Sequence, residues 1–421
     1  MKILYFHQFF GTRAGTNGIR SYEMSRALID AGHEVTMVCA SFVGSTTGLT
    51  GPFVRGVRRG FVDGIEVIEF RLTYSNSDGV FARARKFLTY GLRAVLIALR
   101  RDFDVVFATS TPLTAGIPGI AAKVLRRKPF VFEVRDLWPE LPKAMGMRNP
   151  LLLWLMKLLE RSSYHAADRV IGLAPGIVDG IVRAGKNRRF VTLIPNGCDL
   201  HLFKAAPRAP ASLWPDRILE NDFVAIFAGA HGRANGLDAI LAAARQLQDR
   251  NRVHIKILLI GQGSEKARLQ RNAADLGLTN VIFADPAPKS EIAALLKGSH
   301  AGLQVLADIP AFYEGTSPNK FFDYLAAGLP VLINYPGWLA RLVVEEQCGV
   351  AVPPGDPAAF ATALEQLADD PQIRNAMGQA SRRLGSRMFN RAELADEFES
   401  VLLQAARADP AALPTRSTDM P

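Results

Sequence analysis

The sequence predicts an α/β protein of two doubly wound, Rossmann-like domains facing across a cleft. Three observations carry that expectation. Residues 3–39 run buried strand, glycine-rich loop, helix, second strand. The same order begins again at residue 223. Between them lies 204–221, broken by Pro207, Pro210 and Pro215, which reads as a linker. A chain of 421 residues also exceeds what one ordinary core holds. The expected division is 1–205, then 206–387, then a helix at about 388–406 able to pack back on the first domain, and a flexible tail over 407–421.

Apolar residues make up 48% of the chain and charged residues 21%, the balance of a globular protein. Cys39, Cys198 and Cys348 stand far apart with no Cys-x-x-Cys pair, so neither a zinc knuckle nor a disulfide framework is indicated. The first six residues lack the long apolar region and small-residue cleavage site of a signal peptide and read as a strand. No apolar run reaches the roughly 18 residues of a spanning helix. Charge is lopsided. Residues 1–200 hold 28 Lys and Arg against 16 Asp and Glu, and the remainder holds 22 against 24. That balance points to an anionic partner: phospholipid headgroups, a polyprenyl diphosphate or a nucleic acid. Nucleic acid is set aside, because neither a binding module nor aromatic–basic interleaving appears.

The strand Ile3–Phe6 feeds a loop containing Gly11, Gly15 and Gly18, whose spacing is not the dinucleotide fingerprint. Gly15-Thr16-Asn17-Gly18 reads either as a place for an anionic ligand to approach the backbone or as a plain tight turn. A helix with Ile19, Tyr22, Met24, Leu28 and Ile29 follows, then a strand from His33, a residue expected to do no chemistry. Residues 61–70 form a hairpin turning at Asp63-Gly64. Residues 80–101 mix Arg83, Arg85, Lys86, Arg93, Arg100 and Arg101 with Phe81, Phe87, Leu88, Leu92, Leu96 and Leu99. That composition suits a helix in a membrane interface or a core helix with a solvated basic face. Asp102-Phe-Asp104 looks like a metal-holding pair, but it precedes its strand, away from the ligand edge, so no metal is expected there.

The strand at 129–134 runs into a polar loop. Glu133, Arg135, Asp136 and Glu140 fall at or beyond its carboxyl end, where doubly wound domains place their chemistry. A structural ion pair is the competing reading. In the second half, the strand Phe223–Phe227 enters the glycine loop 229–236, and His254–Ile260 enters Gly261-Gln-Gly263. The stretch Glu314–Val331 is the most loaded. Ser317 is expected as N-cap and Pro318 as first residue of a helix that Gly328 ends. Unpaired amides at such a start can hold a diphosphate, with Lys320 one turn in and Asp323 placed to bond a ribose hydroxyl pair. A capped surface helix is the alternative.

Ala31-Gly-His-Glu-Val35, Ala167-Asp168, Pro195-Asn-Gly-Cys-Asp199, the 229–236 loop, Gly261-Gln-Gly263 and Asp323–Val331 occur in this order over nearly the whole chain. With them the sequence resembles the retaining nucleotide-sugar glycosyltransferases of the GT-B fold, glycosyltransferase family 4. Residues 132–140 and 317–324 are similar to a subgroup, the fucosamine transferases of bacterial O-antigen and capsule clusters. The resemblance implies an N-terminal domain that binds the acceptor, with Gly15, Thr16, Asn17, Gly18 and Arg135 on that side. It implies a C-terminal domain that binds a nucleotide sugar, UDP-linked, with no metal and no further cofactor. By position, Asp323 replaces the family's second glutamate, which grips the ribose. Gly229, Gly232, Gly261 and the backbone near Thr316, Ser317, Pro318 and Asn319 would cradle the diphosphate.

The chain departs from the pattern in four places. Ala230 and Asn235 stand where the family carries Arg and Lys, so Arg233 and Lys320 are the expected substitutes. The family's first acid falls on Gly315, and Glu314, one residue off, is the candidate. Ser110 and Thr111 occupy the region of a family histidine. The implied reaction moves a sugar such as N-acetylfucosamine to a polyprenyl-diphosphate-linked sugar or glycan, at an anionic membrane on the cytoplasmic side. Lys320 and Arg233 would stabilise the leaving group, Glu314 would lie near the anomeric carbon, and Asp136 or Glu140 would orient the acceptor or take its proton. The two missing cations also fit a degenerate scaffold that binds without turnover.

Overall fold

A computed structural model describes residues 1–15, 18–42, 46–74 and 79–407, which form two compact units. Unit 1 holds residues 1–195, the short segment 314–317 and nearly all of the last helix, Arg391–Arg407. Unit 2 holds residues 196–313 and 318–391.

Unit 1 is an eight-stranded sheet of β1 (Lys2–Phe6), β2 (Glu34–Phe42), β3 (Val57–Val62), β4 (Ile65–Tyr74), β5 (Val105–Thr109), β6 (Phe130–Val134), β7 (Arg169–Gly172) and β8 (Val191–Leu193). Their order is β3-β4-β2-β1-β5-β6-β7-β8, and every pairing is parallel except the β3–β4 hairpin. Asp63 and Gly64 turn that hairpin with φ of 48° and 83°, the left-handed pair such a two-residue turn needs. Every residue of β5 and β6 is buried, because helices cover both faces of a parallel sheet. These helices are α1 (Arg20–Asp30), α2 (Val80–Arg100), α3 (Gly116–Arg126), α4 (Glu140–Ala144), α5 (Pro150–Ala166) and α6 (Pro175–Arg183). Strand β1 pairs with β2 on one side and β5 on the other. Its carboxyl end is therefore a topological switch point, where an open α/β sheet leaves room for a ligand. The last helix sets Phe398 4.8 Å from Phe107 and bonds Glu399 to His33 Nε2 at 2.7 Å. His33 thus fastens that helix. The expected tail lies outside the described residues from 408 onward.

Unit 2 is a six-stranded parallel sheet of β9 (Phe223–Ala228), β10 (Ile255–Ile260), β11 (Val281–Ala284), β12 (Ala301–Gln304), β13 (Val331–Ile333) and β14 (Gly349–Ala351). The order is β11-β10-β9-β12-β13-β14, which puts the switch point between β9 and β12. Its helices are α7 (Leu200–Ala205), α8 (Asp238–Asp249), α9 (Lys266–Asp275), α10 (Lys289–Gly298), α11 (Pro310–Tyr313), α12 (Asn319–Ala327), α13 (Trp338–Glu345), α14 (Pro357–Asp369) and α15 (Pro371–Met388). Phe227, Ile240, Leu247, Ile257, Leu259, Leu303, Leu332 and Leu364 belong to one buried core. Helix α12 starts one residue later than expected. Pro318 is itself extended (φ −77°, ψ 131°) and forms the cap, so Ser317 lies outside the helix and no side chain caps it. Gly328 closes it in the left-handed conformation, φ 76°.

Candidate active site

In unit 2 the ligand edge is built by the loops after β9 and β10. Gly229 donates its N–H to Ile260 O at 2.9 Å, and a Cβ on Gly261 would lie 1.9 Å from Gly229 O. The two loops therefore cross with no room for a side chain. Asn235 closes the first loop by donating to Ala230 O at 2.8 Å. Helix α12 is pinned beneath them: the Tyr324 hydroxyl donates to Leu303 O at 3.2 Å and accepts from Ala228 N, and its ring occupies the space a Cβ on Gly302 would fill. One turn earlier the same helix carries Lys320. Its Nζ donates to Asn235 Oδ1 at 2.8 Å, sits 4.3 Å over the Phe227 ring, and would be 3.5 Å from a Cβ on Gly229. Burial pulls the Lys320 pKa down to about 7.

Asp323, one turn beyond Lys320, is buried and paired with Lys289 at the first position of α10. That helix follows β11, so the pair also lies on the ligand side. Arg233 is exposed in a short 3-10 turn, with no side-chain partner among the described residues. Gly232 has open space where a Cβ would stand, so it makes no close backbone approach.

Sequence reasoning passed over His231. It is fully buried between the rings of Phe227 and Phe283, each 6.1 Å away, and neither ring nitrogen has a partner. Desolvation, then the charges of Lys266 and Lys320, lower its pKa to about 4, which keeps it neutral. Lys266 holds the neighbouring loop, donating to Gly261 O and Ala284 O, both at 3.0 Å, and to Asp285 at 2.7 Å.

Unit 1 has its own polar group at the carboxyl ends of β1, β5 and β6. Ser110 Oγ accepts from Arg135 N at 2.9 Å, and Thr111 Oγ1 donates to Asp136 at 3.1 Å. Arg135 Nη1 lies 3.5 Å from His7 Nε2. Burial raises the Asp136 pKa, with Arg135 and then Thr111 pulling it back. His7 is held well below its usual value by burial and by Arg135. Its Nδ1 and both polar atoms of the Gln8 side chain are buried without partners. The only available signal was a His-Gln pair directly after an apolar strand.

The four ionisable groups expected together do not stay together. Glu133 is fully buried and paired with Arg20 at 2.9 Å, and its other oxygen accepts from Thr109 at 2.8 Å. It belongs to the core, since Arg20 also bonds Pro195 O and Ile194 O. Glu140 is exposed at the start of α4, where its charge acts on Glu160. Gly15 closes a turn onto Thr12 O at 3.0 Å, Gly18 is exposed, and Thr16 and Asn17 lie outside the described residues. Glu314, Thr316 and Ser317 group with unit 1, where Glu314 O accepts from Gly176 N at 3.0 Å; Pro318, Asn319, Lys320 and Asp323 group with unit 2. Asp104 accepts from Lys2 N at 2.7 Å on the amino side of the sheet. Among the described residues no group of three or more His, Cys, Asp or Glu is arranged to hold a metal.

Comparison with known proteins agrees with this layout. A model described as "Glycosyl transferase 4-like domain" matches residues 16–197, and one described as "Glycosyl transferases group 1" matches residues 212–384. A D-inositol 3-phosphate glycosyltransferase from Streptomyces avermitilis is 29% identical over 228 residues, 52% of this chain and 48% of its own. The chain spans about half the length of the curated relatives it matches first. The sucrose-phosphate synthase of Thermosynechococcus elongatus shares the fold with a TM-score of 0.73 at 19% identity, covering 97% of this chain and 100% of its own. Anabaena HepE in complex with UDP and glucose does so with a TM-score of 0.67 at 17% identity, covering 96% and 100%. With two such domains in this order over most of its length, the chain is a GT-B protein of the glycosyl transferase 4-like and group 1 type.

Proposed function

We propose that the protein moves a sugar from a nucleoside diphosphate, UDP-linked, to a hydroxyl of a lipid-linked or glycan acceptor, with retained anomeric configuration. The observation that carries this reading is Lys320, a half-buried amine at the switch point of unit 2 beside Gly229 and Asn235. In the reaction the bond from the anomeric carbon to the β-phosphate oxygen breaks, and its electron pair leaves with the nucleoside diphosphate. The acceptor oxygen bonds that carbon and gives up its proton. Lys320, Arg233 and the backbone about Gly229 and Asn319 offset the charge on the departing phosphate. Asp136, whose pKa is raised, suits a proton acceptor, and Glu140 is the exposed alternative. Glu314 supplies negative charge near the anomeric carbon, and Asp323 takes the ribose hydroxyls. An amino sugar such as N-acetylfucosamine, and a place in bacterial surface polysaccharide synthesis at the cytoplasmic side of the plasma membrane, rest on the resemblance of residues 132–140 and 317–324.

The test is release of UDP from a panel of nucleotide sugars, with the product anomer read by NMR. Lys320→Ala lowers turnover by about two orders of magnitude, as loss of a strong transition-state donor does. Unchanged turnover removes Lys320 from the site. A wild type that binds UDP but turns over no donor in the panel points instead to a binding scaffold, consistent with Ala230 and Asn235.

A further inference from the structure

We infer that unit 1 docks on an anionic lipid surface through one face built by α2, α3 and α5. The three helices pack side by side with α3 in the middle. Along α2, Leu88, Leu92 and Leu96 repeat every four residues and are 51%, 57% and 50% exposed. Exposed Arg85 and Arg100 stand at the two ends of that stripe. Along α5, Leu151, Trp154, Leu155 and Leu158 make a second exposed stripe at helical spacing, with Trp154 59% exposed. Arg148, Lys157 and Arg161 are exposed around it, and α3 adds Val124 and Leu125 with Arg127 just past its end.

The exposed charges that these three helices carry have one sign, and Lys123 of α3 is paired with Asp168. Neither α2 nor α3 contains an aspartate or glutamate, and the single acid of α5, Glu160, is buried. Among the described residues none of Arg85, Arg100, Arg127, Arg148, Lys157 and Arg161 is in an ion pair. An ordinary solvated face mixes both signs and carries few leucines. The choice of occupant follows from charge. A second copy docked by two-fold symmetry would set these cations against one another, with no exposed acid on the three helices to meet them. A headgroup layer supplies the opposite charge, and its acyl boundary accepts leucine and tryptophan side chains. No helix of the described residues is long and apolar enough to cross a membrane. This inference does not depend on the sugar-transfer reading, since docking needs no donor.

The experiment is co-sedimentation of the full chain with vesicles of phosphatidylcholine alone and of phosphatidylcholine with phosphatidylglycerol at about a 2:1 ratio. Binding is expected to the mixed vesicles only, and to weaken as salt rises. Trp154→Ser with Leu158→Gln, and separately Arg85→Gln with Arg100→Gln, lower the binding constant by about tenfold each while UDP binding and the unfolding midpoint stay as in wild type. Brominated lipid quenches the fluorescence of wild type, and the quenching disappears in Trp154→Phe, although three other tryptophans remain. Equal binding to neutral vesicles overturns the inference. So does self-association that the same variants abolish in the absence of vesicle binding. A wild type that binds the mixed vesicles but turns over no donor would count against the sugar-transfer proposal alone.

Discussion

Lys320 donates to the side-chain oxygen of Asn235 across 2.8 Å, so the residue standing where the resembled family carries a lysine is itself the seat of one supplied from α12. The amine at this loop is delivered by the helix below. Its Nζ stands half-buried 4.3 Å over the Phe227 ring, and desolvation brings its pKa to about 7.

A diphosphate beside Lys320 favours the charged form, so its binding at about pH 8 takes up close to one proton. The measurement is the calorimetric enthalpy of UDP binding in buffers of different ionisation enthalpy. Lys320→Met abolishes the buffer dependence, and uptake that persists in the variant assigns the proton to another group. The sign for stability follows from the same shift. The folded pKa lies below the ordinary lysine value of 10.5, so the unfolded chain binds more protons between about 7 and 10.5. The ligand-free protein therefore gains stability as pH rises through that window and loses it as pH falls.

Asp323 and Lys289 make a test of role against structure. Removing the acid alone leaves Lys289 largely buried without its partner, which costs unit 2 roughly 2–4 kcal/mol. Asp323→Ala with Lys289→Ala regains part of that in urea unfolding. If Asp323 holds the ribose, the double variant still binds UDP about tenfold more weakly, and it no longer distinguishes UDP from 2′-deoxy-UDP. Recovery of full UDP affinity in the double variant limits Asp323 to the ion pair.

Gly261 is the third point of attack. Its φ of +150° and the 1.9 Å separation of a would-be Cβ from Gly229 O leave no room for alanine. Gly261→Ala must push the loop after β10 off the loop after β9, lowering UDP affinity at least about tenfold and stability by about 2 kcal/mol. Calorimetry and urea unfolding read the two effects. Gly232→Ala is the control, since its Cβ meets nothing within 4 Å.

The fold was legible because its signals are local. Buried apolar runs such as Phe223–Phe227, the glycines after them and the Asp63-Gly64 turn each act through backbone geometry that a sequence displays. In the candidate site, a residue's placement was legible only where it sits beside its own strand or helix start, as Gly229 and Lys320 do. What was missed depends on partners far along the chain. Arg20 is fully buried at the start of α1 because Glu133, 113 residues on, and the carbonyls of Ile194 and Pro195 satisfy its guanidinium. Glu133 looked like site chemistry for the same reason. His231 was hidden by a loop whose glycines drew the attention, and His7 by a strand that ends one residue before it.

Glu160 offers the remaining pH effect, in unit 1. The Tyr164 hydroxyl, at 2.8 Å, and the Trp138 N–H, at 3.2 Å, both donate to Oε1. Burial nevertheless raises its pKa to about 7, with the Glu140 charge adding to the rise and those two donors opposing it. The folded state thus holds this proton more firmly than the unfolded chain. Its contribution is fully present below the unfolded value of about 4.5 and is lost as pH rises through about 7. The rise from 4.5 to about 7 corresponds to roughly 3–4 kcal/mol. Glu160→Gln keeps a carbonyl oxygen for both donors and cannot ionise, so it behaves like wild type near pH 5 and is the more stable protein by up to that amount near pH 8.5. Urea unfolding at the two pH values decides it. A variant less stable than wild type at the higher pH would mean that the ionised carboxylate is a favoured partner there, and that burial does not dominate.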